Sequence, residues 1–374
     1  MTLLEYAVSA ALLRACFAVF RLLPFDPGKV VFASARSLDL QDNLKHIYRA
    51  MLARHPDRRY VFLLERYSYT FTGKIRYLAS MVRACYHLAT ARLFIVDNAY
   101  LPIHVVRHRT ETIVVQVWHA ASALKKFGLD APSIERAVED RFVHRNYDYV
   151  IVGSEGAVEP FSSALRTDPE RVVALGEART DLFFDTAAME TAREAVYLRH
   201  PELRGKKVAL YAPTFRGAGE FKYAVERLKA PRVRDALDEQ WVLVSKVHPA
   251  LDSSRTSAEG FDLVIDQHTD LNELLLVTDL LITDYSSVIF EYALLRRPLI
   301  LYVPDLAEYL QYPGFYLDFP TGVIGEIARS TSEVVEIVRR DTYDLDAHDE
   351  FIGRHLPLAD GHASERFVDW VDSL

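Results

Sequence analysis

Residues 280–292 carry the densest chemistry in the chain. The apolar run Leu280-Leu281-Ile282 reads as a buried strand. It gives way to Thr283-Asp284-Tyr285-Ser286-Ser287, and the spacing of Val288, Phe290, Tyr292, Ala293 and Leu294 predicts a helix after it. Hydroxyls at the head of such a helix cap its free N–H groups. The same place favours a phosphate, because those N–H groups and the helix dipole attract anions. Glu291 lies four residues past Ser287, on the same helical face. His119 follows the apolar strand Ile113–Val117 and is expected at a strand's C-terminal end, where open α/β sheets bind ligands. Its ordinary pKa of about 6.5 suits proton transfer at neutral pH. His248 sits in Ser245-Lys246-Val247-His248-Pro249, and Pro249 keeps it out of a helix. Lys246 is two residues earlier, on the same side of an extended segment. Arg216 closes Tyr211-Ala212-Pro213-Thr214-Phe215-Arg216 and has the fork that grips a phosphate through two bonds. Each residue also has a plain structural reading: a capped helix, a hydrogen-bonded histidine, a solvated cation.

Five segments recur in a telling order: Gln116-Val117-Trp118-His119 with Leu124-Lys125-Lys126-Phe127-Gly128, then Tyr211–Arg216, Lys246–Pro249, Thr283–Ser287 and Asp360-Gly361-His362-Ala363-Ser364-Glu365-Arg366. Together they resemble the CDP-glycerol glycerophosphotransferase family, the teichoic acid primases and polymerases of bacterial cell walls. The resemblance runs from about Lys29 to the C-terminus. It implies a GT-B fold, with two Rossmann-like domains and a cleft between them. It also implies a reaction in which a hydroxyl of an undecaprenyl-diphosphate-linked glycan attacks the phosphorus of CDP-glycerol next to glycerol, and CMP leaves. On that basis His119 is expected as the base, with Trp118, Lys125 and Lys126 on the acceptor side. His248 is expected as the second catalytic residue, on the donor phosphates. Arg216, Lys246, Thr283, Asp284, Ser286 and Ser287 are expected to bind the donor, and Glu291 its ribose. Asp284 stands beside a diphosphate only if it binds a cation or orients a histidine or the loop. Ala120 occupies the place of the family's glycine after the histidine. No metal-ligand spacing is visible; no cofactor is required, though a divalent cation on the diphosphate is compatible. A chain of this size is expected to act more as a primase than as a polymerase. The alternatives are a CDP-ribitol phosphotransferase, or a GT-B glycosyltransferase using a nucleotide sugar.

The elements that must hold these residues alternate. Strands are expected at 29–33, 60–64, 93–97, 112–116 and 149–152, and again at 207–211, 241–245, 263–265, 280–282 and 299–302. Helices are expected at 43–55, 75–90 and 223–237. Short, wholly apolar strands between helices point to α/β architecture with parallel sheets covered on both faces. The expected divisions are a membrane-associating helix over 1–24, an acceptor-side domain over 25–185, a donor domain over 186–345, and C-terminal helices over 346–374 that return to the first domain.

A chain of 374 residues exceeds one ordinary core. Its two cysteines form no disulfide framework and fit a reducing compartment. The net charge of −8 hides an asymmetry: residues 1–110 hold 16 Lys and Arg against 7 Asp and Glu. A basic N-terminal part points to an anionic surface or ligand. No nucleic-acid module or dense basic stripe is present, so nucleic acid is not an expected partner. Residues 3–23 are helical in pattern and mostly apolar, with Arg14 and Arg21 on one face. Arg14 near mid-span disfavours crossing a bilayer. The expectation is an in-plane amphipathic helix with its arginines at anionic headgroups, and a peripheral protein on the cytoplasmic face of the cell membrane.

Overall fold

Strands that are apolar on both sides need cover on both faces, and the chain answers with two six-stranded parallel sheets. The structure is a computed structural model and describes residues 3–66, 70–131, 143–216, 223–224, 228–246, 258–266 and 269–374. The chain divides into two units. The first comprises 1–121, 126–181 and 357–374; the second comprises 122–125 and 182–356.

In the first unit the strands are β1 (Asp26–Ser34), β2 (Arg59–Leu64), β3 (Ala91–Val96), β4 (Ile113–Gln116), β5 (Tyr149–Val152) and β6 (Val172–Ala174). Their order is β2-β1-β3-β4-β5-β6, so the direction of winding reverses between β1 and β3. Val31, Phe32, Ala33, Phe94, Ile95, Val114 and Val115 are sealed from solvent along the middle of this sheet. Burying each of the larger side chains contributes roughly 1.5–3 kcal/mol.

The helix Leu3–Phe20 belongs to this unit and packs on the helices Phe71–Thr90 and Leu101–Val105. Tyr6, Ala10, Leu13 and Phe17 recur every three or four residues and are buried. Arg14, whose spacing suggested a headgroup contact, donates its Nε–H to the Val105 carbonyl at 2.8 Å. The other face leaves Leu4, Val8, Leu12 and Val19 exposed. No helix among the described residues is long and apolar enough to cross a membrane.

The second unit holds β7 (Lys207–Ala212), β10 (Trp241–Lys246), β11 (Leu263–Ile265), β12 (Leu280–Thr283), β13 (Leu299–Tyr302) and β14 (Glu326–Ala328). They lie in the order β11-β10-β7-β12-β13-β14. This is the doubly wound order, and it reverses between β7 and β12. Two short strands, β8 (Phe215–Arg216) and β9 (Tyr223–Ala224), pair antiparallel. The second, β9, stands at the start of the helix expected over 223–237; among the described residues of that stretch only Ala230–Arg234 is helical. Pro231 explains the late start, since proline is accepted in a helix's first turn and not further in. At the C-terminus, the helix Thr331–Arg340 stays with the second unit, and Ala363–Asp372 packs on Asp42–Arg54 of the first.

Candidate active site

Two sheets that each reverse their winding offer two ligand-binding edges, one at the C-terminal ends of each set of strands. The sequence-predicted residues gather at both.

In the first unit β4 ends at Gln116, and Val117-Trp118-His119 turns away from it. Trp118 adopts the left-handed conformation, with φ of 46°. A bulky residue is strained there and stays only where its surroundings over-determine it. They do. The Trp118 N–H donates to Gln116 Oε1 at 2.9 Å, and Gln116 donates through Nε2 to the Asn98 carbonyl at 3.0 Å. The indole stacks on the His119 ring, 4.5 Å between centroids, and lies tilted against Phe127 at 5.0 Å. Buried Asn43 donates through Nδ2 to the Val117 carbonyl at 3.0 Å, with the Trp118 carbonyl 3.3 Å away. Arg179 donates through Nη1 to the His119 carbonyl at 3.1 Å. A Cβ built on Gly153, just past β5, would lie 2.3 Å from the Ala121 carbonyl oxygen. Only glycine lets the turn lie that close.

The His119 Nδ1 meets the Asp97 carbonyl at 2.7 Å. A carbonyl only accepts, so Nδ1 carries the proton and Nε2 keeps its lone pair. Burial, followed by the nearby Arg36 guanidinium, pushes the imidazole down to about 3, so it is neutral at physiological pH. Arg36 bridges two carboxylates: Asp97 through Nε at 3.0 Å, and Asp42 through Nη2. Burial works against a charge on Asp42, but Arg36 and Arg179 outweigh it and bring the group down to about 2. Asp97 is raised by its burial, with Arg36 opposing.

In the second unit the loops after β7 and β12 are tied together. Asp284 accepts from the Thr214 N–H through Oδ1 and from the Thr214 hydroxyl through Oδ2, both at 2.9 Å. Thr283, expected at the donor, is sealed and gives its hydroxyl to the Ala212 carbonyl at 2.7 Å. Tyr285 is also sealed, stacked on Tyr309 and bonded to Asp305 at 3.0 Å. Ser286 and Ser287 are half-exposed beside these buried neighbours. The helix they open is only Val288–Ala293, so the field of a long helix is not available there. Its hydroxyls remain as donors, while the Val288 N–H reaches Ser286 Oγ at 3.4 Å and the Ile289 and Phe290 N–H groups bond to the carbonyls of Ser286 and Ser287. Glu291 is buried. Lys246, at the end of β10, gives its ammonium to the Asp266 carbonyl after β11. That is one strand removed from the β7–β12 reversal. Burial lowers it to about 8, against the pull of Asp266 and Asp270. Arg216 has its backbone in β8, with its side chain outside the described part, and His248 lies outside the described residues. Lys126 is exposed, and Lys125 pairs by backbone with Phe315 within the second unit.

The structure thus brings together His119 and Trp118 at one edge, and Asp284, Ser286 and Ser287 at the other. Sequence reasoning passed over Arg36, Asp42, Asn43 and Asp97. For three of them the signal was position: Asp97 directly follows a strand, Arg36 stands two residues past one, and Asp42 opens a helix, whereas nothing local marked Asn43. Among the described residues no group of three His, Cys, Asp or Glu could hold a metal ion.

A two-unit, GT-B-like chain with a fixed histidine and a serine pair on separate sheet edges defines a fold class, and comparison with known proteins gives the family. The chain belongs to the CDP-glycerol:poly(glycerophosphate) glycerophosphotransferase family, whose pattern it matches over residues 15–373. It is 35% identical to the teichoic acid ribitol-phosphate primase of Bacillus spizizenii, covering 94% of this chain and 93% of that one. It is 34% identical to the teichoic acid poly(ribitol-phosphate) polymerase of the same organism, over 97% of this chain but only 59% of the polymerase. The teichoic acid glycerol-phosphate primase of Bacillus subtilis is 29% identical over 79% of this chain and 77% of that one. In fold, the wall teichoic acid polymerase TagF superposes with a TM-score of 0.79 at 21% identity, covering 99% of this chain and 96% of that one. A UDP complex of Staphylococcus aureus MnaA superposes at 0.55 and 13%, covering 92% and 95%.

Proposed function

We propose that this protein transfers a polyol phosphate from a CDP-activated donor to a hydroxyl of a lipid-linked teichoic acid acceptor. The observation that carries the reading is His119, held with Nδ1 on the Asp97 carbonyl and its lone pair on Nε2. Nε2 takes the proton of the acceptor hydroxyl as that oxygen bonds to the phosphorus next to the polyol. The bridging P–O bond breaks and CMP departs. An imidazole held this low is a weak base by itself, but an anionic diphosphate favours the imidazolium and raises its basicity as substrate arrives. Ser286 and Ser287 donate to the diphosphate, with Arg216 and His248 assigned beside them. A divalent cation carried by the diphosphate is compatible and not required.

Ribitol phosphate is the favoured group, because the ribitol-phosphate relatives are 31–35% identical and the glycerol-phosphate ones 26–29%. Glycerol phosphate is the second reading, carried by the family description. Incubation with CDP-ribitol and CDP-glycerol in turn, on a lipid-linked disaccharide, with mass spectrometry counting the units added, decides both the polyol and whether one unit or a chain is made. Release of UDP from a UDP-sugar, with no CMP from either donor, would defeat the reading.

The exposed apolar face of the 3–20 helix, on a basic N-terminal region, supports peripheral attachment to an anionic membrane at its cytoplasmic face. Sedimentation with anionic vesicles, weakened by salt and by Leu4→Ser with Val8→Ser, tests it. Equal binding to neutral vesicles would argue against it. Deleting the whole helix is a poor test, because its other face is core.

A further inference from the structure

We propose that Asn43 is the positioning residue that sets the His119 imidazole for proton transfer, acting on it through the backbone of the Val117–His119 turn. The inference rests on the reading of His119 as the base. Asn43 is 2% exposed and bonds to the backbone carbonyls of the turn. Its Nδ2 donates to the Val117 carbonyl at 3.0 Å and to Glu177 Oε2 at 2.6 Å, with the Trp118 carbonyl at 3.3 Å. Its Oδ1 accepts from the Arg179 N–H at 3.1 Å, and Arg179 in turn binds the His119 carbonyl. One carboxamide therefore holds the turn directly and, through Arg179, from its far end. The grip falls on the peptide units on both sides of Trp118, the residue whose left-handed backbone needs outside support. Releasing those carbonyls lets the turn relax toward an ordinary conformation. That would carry the imidazole off the Asp97 carbonyl, with loss of the fixed tautomer and of the burial that keeps the ring neutral.

An isolated structural role, in which Asn43 merely satisfies Glu177, makes a different forecast. Asn43→Asp combined with Glu177→Gln reverses donor and acceptor between those two side chains and restores their bond. Residue 43 still accepts from the Arg179 N–H, but it no longer donates to the Val117 and Trp118 carbonyls. The double variant is expected to fold, with a melting temperature lowered by the carbonyls it leaves without a donor, and to keep donor KM within about two-fold. Its kcat should fall roughly 10²-fold, the scale of a misplacement of about 1 Å at a reacting group. In parallel, 15N spectra of histidine-labelled protein, assigned with His119→Gln, should show the Nδ1–H tautomer and a low pKa in the wild type. In the double variant they should show a mixture of tautomers and a pKa risen toward the ordinary value of about 6.5. Wild-type kcat, or wild-type His119 resonances, in the folded double variant would overturn the proposal. Should that variant fail to fold, Asn43→Ser, whose shorter side chain reaches at most one of the carbonyls, is expected to give the same spectral change, and its absence overturns the proposal equally. The spectra need no substrate, so a wild type inactive with every CDP-polyol would refute the transferase reading while leaving the clamp decided.

Discussion

Asp284 separates two accounts of the donor edge, because its geometry forecasts different costs for two substitutions. The carboxylate is 4% exposed and accepts both the N–H and the hydroxyl of Thr214, itself 4% exposed. Asp284→Ala leaves both donors buried without this acceptor, at about 1–3 kcal/mol each. A loss of roughly 2–6 kcal/mol in stability is expected. At about 2–4 °C per kcal/mol for a unit of this size, the thermal midpoint should fall by roughly 4–24 °C. Asp284→Asn differs. Its amide oxygen still accepts the Thr214 N–H, and the Thr214 hydroxyl can turn to accept from the new NH2. That change should cost about 1 kcal/mol, because one neutral bond replaces one to a charged acceptor. If Asp284 acts by tying the two loops together, turnover and donor affinity should follow the same order: nearly kept in Asn, largely lost in Ala. Differential scanning calorimetry, isothermal titration with a non-transferable CDP-polyol analogue, and a CMP-release assay give the three quantities. An Asp284→Asn protein as stable as the wild type and inactive would refute the tie, and would make the negative charge itself part of the chemistry.

Four further outcomes follow from the same geometry. His119→Ala should lower kcat by about 10²–10⁴ while sparing donor affinity, measured by titration; turnover within a few-fold of wild type would remove it as the base. Gly153→Ala should destabilise the first unit by a few kcal/mol in chemical denaturation, because its Cβ would meet the Ala121 carbonyl at 2.3 Å; a neutral effect would mean that the turn moves freely. Ser286→Ala with Ser287→Ala should weaken titrated donor affinity by roughly 1–3 kcal/mol with the melting temperature nearly unchanged, since both are half-exposed; unchanged affinity would move the diphosphate elsewhere. Burial holds His87 and His104 down to about 4 and His144 to about 3. The unfolded chain, with an ordinary pKa of about 6.5, then binds more protons than the folded one below that pH. Their contribution is complete above about pH 6.5 and is lost as pH falls toward 4, by up to about 1.4 kcal/mol per pH unit for each, which denaturation at a series of pH values measures.

The alternation of elements was legible because each long strand is a short apolar run that no helix pattern imitates. The three-residue strands Val172–Ala174 and Glu326–Ala328 were not: Leu263–Ile265 is as short but is wholly Leu, Val and Ile, whereas these two hold alanine or glutamate, which favour strands poorly. The helix expected at 223–237 failed where an apolar spacing crossed Pro231. At the site, His119 and Ser286 stood out because each follows a strand, and the strand end is visible in one stretch of sequence. Asn43 was invisible for the opposite reason. Its contacts lie 74 and 136 residues away, and nothing local marks an asparagine as facing inward. The segment Asp360–Arg366 was legible as a motif, but its contacts are architectural. Asp181 accepts the N–H groups of Ala363 and Ser364 at 2.9 and 2.8 Å and so caps the last helix. Arg366 donates to the Leu175 carbonyl at 2.8 Å, against Gly176, whose φ of 87° leaves no room for a side chain.

The two edges share a construction. At each, a half-exposed residue assigned to a ligand stands on a loop that a buried polar side chain fixes. Asn43 grips the carbonyls around Trp118; Asp284 grips Thr214 across the β7–β12 reversal. The reason lies in the sheets. Parallel strands end together at one edge, but nothing in their ladders fixes the loops beyond, so loop position must come from side chains reaching across adjacent strands. A buried amide or carboxylate meeting two backbone or hydroxyl groups does this at low entropic cost, since its own rotamer is already set by packing. Consequently the most mutation-sensitive positions should include the buried polar residues behind His119 and the serine pair as well as those residues themselves. Loss of the former should appear first as misplacement and only later as unfolding.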